Sequence, residues 1–154
     1  MNREIKFRGK RKDNGEWVYG CLFQYKHSKK VYIVLNEYSA DELMRDEALY
    51  KRFAWHEVLP ETVGQSTGLK DKNGVEGFDH DKVSFGRNYP TYQIKWSICN
   101  AEFYLESMNE QKETVHISHL LVGVIIGNIH ENPDLKSNQG PEPVRDSGGP
   151  ADSD

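Results

Sequence analysis

Closely spaced turn signals between residues 60 and 83 constrain the fold of this chain more than any other feature. Gly64, Gly68 and the pair Asn73-Gly74 stand between short segments that contain apolar residues. Glycine adopts positive φ at little cost, and Asn-Gly between such segments is typical of a tight β-hairpin. Because the chain must turn so often here, the run predicts short antiparallel strands rather than long helices.

The N-terminal part of the chain has a similar pattern. Ile5 and Phe7 alternate with basic residues, as in a half-buried strand. The run Lys12-Asp13-Asn14-Gly15 reads as a hairpin turn into an apolar segment over residues 17–23, and a polar turn then leads to residues 31–35. These three segments predict an antiparallel meander.

One helix is predicted, over residues 39–52. Ser39 and Glu42 have the spacing of a capping box, in which the two side chains satisfy free N–H groups of the first turn. The residues that follow give this helix a partly apolar face. After it, residues 55–58 are predicted to be extended, and Pro60 ends that segment.

The second half of the chain is predicted to be β structure again. Short apolar segments alternate with turns, and Gly123 and Gly127 suggest bends or bulges in the last one. About five strands joined by tight turns favour a small closed barrel over an open sheet, because closure hides the strand edges. The predicted strands cover residues 82–85, 92–96, 102–106, 115–117 and 121–130.

The fold class is therefore mainly β with one helix, in three parts. Residues 1–61 form an N-terminal subdomain of meander plus helix, and residues 62–135 form the barrel subdomain. Residues 136–154 contain no Ile, Leu, Phe, Tyr or Trp and carry four acidic residues against two basic ones. Such a segment cannot bury enough apolar surface to offset the entropy of ordering, so a disordered acidic tail is predicted.

Three stretches of the chain resemble the YopX family of phage and prophage proteins. The most specific is Thr62-Val63-Gly64-Gln65 followed by Thr67-Gly68-Leu69-Lys70-Asp71-Lys72-Asn73-Gly74. The opening run, residues 3–8, and the closing run, residues 124–135, are also similar to the family pattern. The resemblance implies an SH3-like barrel for the second subdomain and a bacterial host cell, and it carries no catalytic residues.

The chain departs from the family pattern at one position after the Asn-Gly turn. His80 stands where the family usually has glycine, within the run Glu76-Gly77-Phe78-Asp79-His80-Asp81. If that glycine serves a tight turn or a close contact, the local geometry of this chain should differ.

Charge is uneven along the chain, although the net charge is only −4. Residues 1–30 carry nine basic side chains against three acidic ones, and residues 37–61 carry seven acidic side chains against three basic ones. The two segments could neutralise each other within one fold or across an isologous dimer. Alternatively, the basic segment forms an exposed face that binds nucleic acid.

Aromatic residues lie among these basic residues, and they too have two interpretations. Trp17, Tyr19 and Phe23 share one face of a predicted strand, and we expect that face to form the core. In the alternative, aromatic side chains flanked by basic ones bind single-stranded nucleic acid by stacking. The positions that would bind nucleic acid or another partner are Arg8, Lys10, Arg11, Lys29 and Lys30.

Catalytic patterns are sparse in this sequence. Asp79, His80 and Asp81 could form a general-base or metal cluster, but neighbours on a strand point to opposite faces, so a polar turn is the favoured interpretation. His116 and His119 have helical ligand spacing within a segment that is predicted to be a strand. Neither a phosphate loop nor a Gly-x-Ser-x-Gly elbow is present. We therefore expect no cofactor, no metal site and no enzyme.

The remaining sequence features indicate the cellular setting. Cys21 and Cys99 are predicted to be unpaired, half-buried strand residues. No signal peptide or membrane-spanning run is evident, which predicts a reducing cytoplasm and no membrane partner. The family resemblance implies that this is the cytoplasm of a bacterial host cell. The favoured function is a non-enzymatic binding or assembly module for a protein partner or for its own copies. A nucleic-acid-binding module is the alternative, and an enzyme at Asp79, His80 and Asp81 is the weakest hypothesis.

Overall fold

A computed structural model describes residues 4–35 and 55–134 of the chain. The predicted helix over residues 39–52 and the predicted tail over residues 136–154 lie outside the described residues. The described part is almost entirely β structure, in two antiparallel sheets. It also contains two short 3-10 helices, Pro60–Thr62 and Ile117–Val122. No helix of this described part is long and apolar enough to cross a membrane.

The first sheet has six strands: β1 (Phe7–Lys10), β2 (Trp17–Gln24), β3 (Val31–Val34), β4 (Trp55–Val58), β5 (Gly64–Lys70) and β6 (Glu76–Phe78). Their order in the sheet is β4-β3-β2-β1-β5-β6. The meander predicted from the sequence is confirmed as β1 to β3, and the Asn73-Gly74 hairpin is confirmed between β5 and β6.

Strands β1 to β4 coil tightly around a small apolar core. The end of β4 returns to the end of β1 through a bridge between Arg11 and Val58, and the Lys12 N–H donates to the Glu57 carbonyl at 3.0 Å. Val31, Ile33 and Val58 are buried inside the coil. The half-buried side chains that pack against them are those of Phe7, Val18, Leu22 and Val63.

This coiling reverses the predicted faces of β2. Trp17, Tyr19 and Phe23 were expected to form the core, but Tyr19 is 44% exposed and Phe23 is 39% exposed. The coil encloses the alternate face, which carries Val18 and Leu22, so the larger aromatic side chains point outward. Periodicity alone identified the two faces of β2 but not which of them is concave.

The second sheet has five strands: β7 (Asp81–Ser84), β8 (Tyr92–Ser97), β9 (Glu102–Ser107), β10 (Thr114–His116) and β11 (Val124–Asn128). Their order in the sheet is β10-β9-β8-β7-β11. The predicted pairing across residues 97–101 is confirmed between β8 and β9, and the irregularity predicted at Gly127 is confirmed as a register shift in β11. Their core contains Val83, Tyr92, Ile94, Phe103, Leu105 and Leu120.

The SH3-like barrel is not confirmed, because neither sheet closes. Strands β10 and β11 lie at opposite edges of the second sheet. The 3-10 helix Ile117–Val122 connects them and buries Leu120 in the core, so side-chain packing fills the region that strand pairing would close. Strand β5 pairs with β1 and β6 pairs with β5, so the first sheet continues past residue 62. The division into subdomains at residues 61 and 62 stays a prediction.

The two cysteines form no disulfide bond, and both are exposed. Cys21 lies on β2 as predicted, but on its outer face. Cys99 lies in the turn between β8 and β9 rather than in a strand. Neither was correctly predicted as half-buried.

Candidate partner-binding surface

Four aromatic side chains form a connected group on the outer face of the first sheet, which we call the aromatic cluster: Phe23, Tyr25, Tyr32 and Trp55. Phe23 contacts Tyr25 and Trp55 edge to face, with ring centroids 5.0 and 4.9 Å apart. Tyr32 completes the ring of contacts, 6.0 Å from Tyr25 and 6.2 Å from Trp55. Although the rings pack on one another, Phe23 remains 39% and Tyr25 53% exposed.

Strand register explains why these four residues meet. Phe23 on β2 lies directly opposite Tyr32 on β3, and Val34 on β3 lies directly opposite Trp55 on β4. Residues two apart on one strand share a face, so Tyr32 and Trp55 are diagonal neighbours on the outer side of the coil. Tyr25 follows the last residue of β2, where the chain turns toward β3.

Four lysines lie along the border of this surface, and we call them the lysine rim: Lys12, Lys26, Lys29 and Lys30. Lys12 and Lys30 share one carboxylate, that of Glu57 on β4, at 2.9 and 3.7 Å. Lys26 and Lys29 are exposed in the turn between β2 and β3, and no carboxylate of the described residues pairs with them. Counted over residues 4–35 and 55–134, the surface therefore carries excess positive charge.

A shallow pocket of about 320 Å³ opens beside the cluster. Trp55 and Glu57 line it from β4, and Lys12 lines it from the turn after β1. The pocket thus lies between the Trp55 ring of the aromatic cluster and Lys12 of the lysine rim. A second shallow groove, of about 410 Å³, lies on the second sheet between β8 and β10, and is lined mainly by polar residues such as Asn100, Glu102 and His116.

The predicted basic residues do not converge on one surface. Arg8 is buried and its Nη2 donates to Asp81 Oδ1 at 2.5 Å. Lys10 Nζ lies 3.4 Å from Glu131, and Arg11 makes an ion pair with Asp13 at 2.5 Å. Lys30 contacts Glu57, and Lys29 alone among the five predicted residues has no carboxylate partner in the described part of the chain.

Arg8 anchors a polar cluster between the two sheets. Its guanidinium stacks over the Trp17 ring at 4.7 Å and over the Phe78 ring at 4.9 Å, and its Nη2 also donates to the Asp79 carbonyl at 3.3 Å. Burial raises the pKa of Asp81, and the Arg8 charge opposes this rise. The guanidinium is therefore committed to holding the sheets together.

Two histidines lie beside this ion pair. His130 Nε2 is 3.4 Å from His80 Nδ1, and their ring centroids are 5.2 Å apart. Burial, followed by the nearby charges of His80, Arg8 and Lys10, lowers the pKa of His130. The sequence offered no sign of this pair, because fifty residues separate its two members.

His80 takes the backbone conformation that a glycine would adopt easily. Its φ is +73°, in the left-handed region. The Asp79 carbonyl that precedes it packs against Gly64, where an added Cβ would lie 2.8 Å from the Asp79 oxygen. The glycine usual at this position in the resembling sequences thus corresponds to a tight turn, and His80 retains that turn at a local cost of about 1 kcal/mol.

Asp79, His80 and Asp81 do lie close together, but their polar groups are used within the fold. Asp81 Oδ2 accepts the Phe78 N–H at 2.9 Å, and Asp79 Oδ1 accepts the His80 N–H at 3.0 Å. Burial raises the pKa of Asp79, while His80 opposes the rise. Neither of the two pockets described above is lined by these residues. Within residues 4–35 and 55–134, no group of three or more His, Cys, Asp or Glu could hold a metal ion.

His116 and His119 do not form a ligand pair on a helix or strand face. His116 ends β10, and its Nδ1 accepts the Ser118 N–H at 3.2 Å, which caps the following 3-10 helix. His119 lies within that helix and is exposed. The His116 ring is thus engaged in a local structural contact.

The run that includes residues 67–74 forms contacts that stabilise the fold. Asp71 Oδ1 accepts the N–H groups of Asn73 and Val75 at 2.8 and 2.9 Å, and its Oδ2 accepts the Ile125 N–H at 2.9 Å. Burial opposes ionisation, but these hydrogen bonds lower the pKa of Asp71. The motif joins the β5–β6 hairpin to β11.

The described part of the closing run, residues 124–134, has a similar role. Asn128 Oδ1 accepts the N–H groups of His130 and Glu131, and Glu131 accepts the Trp17 Nε1–H at 2.7 Å. Lys82, fully buried, donates to the carbonyl oxygens of Asn132 and Pro133. A Cβ at Gly127 would collide with the Asn132 side chain. The run holds the end of the second sheet against the first.

Sequence reasoning missed Trp55 as part of the aromatic surface. It lies twenty-three residues beyond Tyr32, and only the pairing of β3 with β4 brings the two together. The sequence contains only a weak signal for it: Trp55 and Glu57 are two residues apart on a segment predicted to be extended, so they share one face.

Comparisons with known proteins agree with this architecture. The crystal structure of protein EF1440 from Enterococcus faecalis is similar, with a TM-score of 0.52, 23% sequence identity, and coverage of 87% of this chain and 99% of that one. At this level of identity the likeness shows a shared fold. A search of curated proteins gives no match. The family model described as YopX protein matches residues 6–136. The chain therefore belongs to the YopX family.

Proposed function

We propose that this protein is a non-enzymatic binding module that holds a protein partner on the aromatic cluster. The observation that carries the proposal is the ring of four aromatic side chains in which Phe23 and Tyr25 remain exposed. Contiguous exposed aromatic surface bordered by polar groups is typical of interaction sites. Tyr and Trp are also enriched at the residues that contribute most to protein–protein affinity.

Packing within the cluster supports this role. Each ring is held by edge-to-face contacts with two others, so little side-chain entropy remains to be lost when a partner binds. The surface is therefore largely organised before binding. The pocket beside Trp55 adds a concave element that a partner side chain could fill.

Ion pairing within the chain disfavours the nucleic-acid alternative. Affinity for nucleic acid depends on free basic side chains that contact phosphates. Most basic residues of the N-terminal segment instead contact carboxylates of the same chain: Lys6 with Glu76, Arg8 with Asp81, Lys10 with Glu131, Arg11 with Asp13, and both Lys12 and Lys30 with Glu57.

The use of Asp79 and Asp81 supports a non-enzymatic role. A catalytic carboxylate needs access to a substrate, and these two accept hydrogen bonds from Arg8 and from backbone N–H groups. We further propose a phage or prophage setting within a bacterial cytoplasm, as the family resemblance implies. A second copy of this chain is the alternative partner for the same surface.

The proposed function is tested by selecting random displayed peptides on the immobilised protein. The test variant is Phe23→Ser combined with Tyr25→Ser. We expect the peptides selected on wild type to lose at least about tenfold in affinity on this variant, because aromatic anchors dominate such interfaces. The control is Tyr89→Ser, which removes a 60% exposed aromatic side chain from the turn between β7 and β8.

Three results would count against the proposal. Peptides that bind the double variant as well as wild type would place the binding surface elsewhere. Dimers that dissociate on the double substitution, seen in light scattering, would assign the cluster to self-association. Salt-sensitive binding of a fluorescent single-stranded oligonucleotide by wild type, lost in the same variant, would favour nucleic acid instead.

A further inference from the structure

We infer that the partner segment is acidic, with carboxylates that contact the lysine rim while an apolar or aromatic side chain contacts the aromatic cluster. This inference rests on the proposed function, and it specifies the chemistry of the partner at the same surface. It follows from the charge around the cluster and from the position of that charge in the fold.

The charge on this border is not balanced within the described residues. Lys12 and Lys30 share the single carboxylate of Glu57. These contacts fix the position of the Glu57 side chain. Hydrogen bonding by Lys12 lowers the pKa of Glu57, so this carboxylate stays ionised and remains paired with the two lysines. Lys26 and Lys29 add two further charges that no carboxylate of residues 4–35 or 55–134 meets. An anionic partner would neutralise this excess.

The lysines are attached to an ordered turn rather than to a loose loop. The Ser28 N–H donates to the Tyr25 carbonyl at 3.1 Å, and the Lys30 N–H donates to the Ser28 hydroxyl at 3.0 Å. Tyr25 opens this turn and is itself a member of the aromatic cluster. The turn therefore holds the charges of Lys26 and Lys29 within a few residues of the exposed rings.

An acidic peptide fits this arrangement better than nucleic acid does. Of the four lysines of the rim, only Lys26 and Lys29 have no carboxylate partner among the described residues, which is few for a ligand whose affinity comes from many phosphate contacts. The aromatic rings are packed edge to face against each other, so their faces do not form a row of platforms for successive bases. A partner that alternates apolar anchors with carboxylates would use both features.

The test compares two matched display libraries on the immobilised protein. Both contain Leu, Phe and Trp as anchors; one fills the other positions with Asp and Glu, the other with Asn and Gln. We expect the acidic library to enrich on wild type. Its selected peptides should lose about fivefold in affinity on the variant Lys26→Gln with Lys29→Gln, because solvent-exposed ion pairs contribute only modestly to binding. Lys70→Gln with Lys72→Gln, on the β5–β6 hairpin, is the control.

The outcomes separate this inference from the proposed function. The acidic partner is overturned if both libraries enrich equally, or if acidic peptides bind the Lys26 and Lys29 variant as well as they bind wild type. In either case, a loss of peptide affinity on the Phe23 and Tyr25 variant would still support the aromatic cluster as the binding surface. No enrichment of the acidic library at low salt also overturns it. Binding of an oligonucleotide that depends on Lys26 and Lys29 would assign the charge to nucleic acid.

Discussion

At the scale of single residues, the sequence motifs of this chain have structural roles. Asp71 shows this most clearly, because one carboxylate holds the turn between β5 and β6 and also contacts β11 on the other sheet. Burial removes the carboxylate from water, and charge-assisted hydrogen bonds from three backbone N–H groups offset that cost. The motif therefore contributes to the stability of the fold.

We expect Asp71→Asn to destabilise the protein by about 2–3 kcal/mol, because the amide keeps the shape but loses acceptor capacity toward buried N–H groups. Urea unfolding monitored by circular dichroism measures the change. Asp13→Asn, at an exposed ion pair with Arg11, is the matched control and should cost clearly less than Asp71→Asn. Equal losses in the two variants would refute the role given to Asp71.

The same carboxylate predicts a pH dependence. Its pKa is lower in the folded protein than the ordinary value of 3.8, so it contributes stability above that value and loses this contribution as pH falls toward the folded pKa.

At the scale of elements, the turns were predictable and the faces of β2 were not. Asn73-Gly74 and the Lys12–Gly15 run identify their hairpins because the required backbone conformations favour those residues locally. Which face of β2 is buried depends instead on the coiling of β1 to β4, which the bridge between Arg11 and Val58 fixes at long range. For the same reason, the pairing of β3 with β4 created an aromatic surface that no local pattern contained.

The assignment of faces is tested by two substitutions on neighbouring strands. Ile33→Ala should cost about 3 kcal/mol, because Ile33 is fully buried in the coil and its removal leaves a cavity. Phe23→Ser should cost about 1 kcal/mol, since the ring is partly exposed and loses only its contacts within the cluster. Thermal and urea unfolding would measure both losses of stability. A larger loss for Phe23→Ser than for Ile33→Ala would instead support the aromatic core predicted from the sequence.

At the scale of the whole molecule, polar contacts join the two sheets. Arg8 with Asp81, Trp17 with Glu131, and Asp71 with Ile125 each link one sheet to the other. These contacts could not be predicted from the sequence, because forty or more positions separate the two residues of each contact. Polar contacts are directional, so they fix the relative placement of the sheets, and they also make that placement sensitive to pH.

His130 lies at this junction, and it faces several charged groups. Arg8 and Lys10 come from β1, His80 from the turn before β7, and Glu61 from the 3-10 helix after β4, and burial is the largest cause of the lowered pKa of His130. The unfolded chain therefore binds a proton near the ordinary histidine value of 6.5, while the folded protein binds it only at lower pH. Stability must then fall as pH drops below about 7, since protons favour the unfolded state in this window.

The decline should be measurable as a smaller free energy of unfolding at mildly acidic pH than at neutral pH. His130→Gln keeps a polar side chain without a titrating ring and should flatten the dependence, whereas His27→Gln, in the exposed turn between β2 and β3, should leave it intact. The raised pKa values of Asp79 and Asp81 act in the opposite direction, since the folded protein binds those protons more readily. Their effect begins above the ordinary aspartate value of 3.8, so urea titrations at a series of pH values resolve the two contributions. An unchanged pH profile in His130→Gln would remove His130 as the cause.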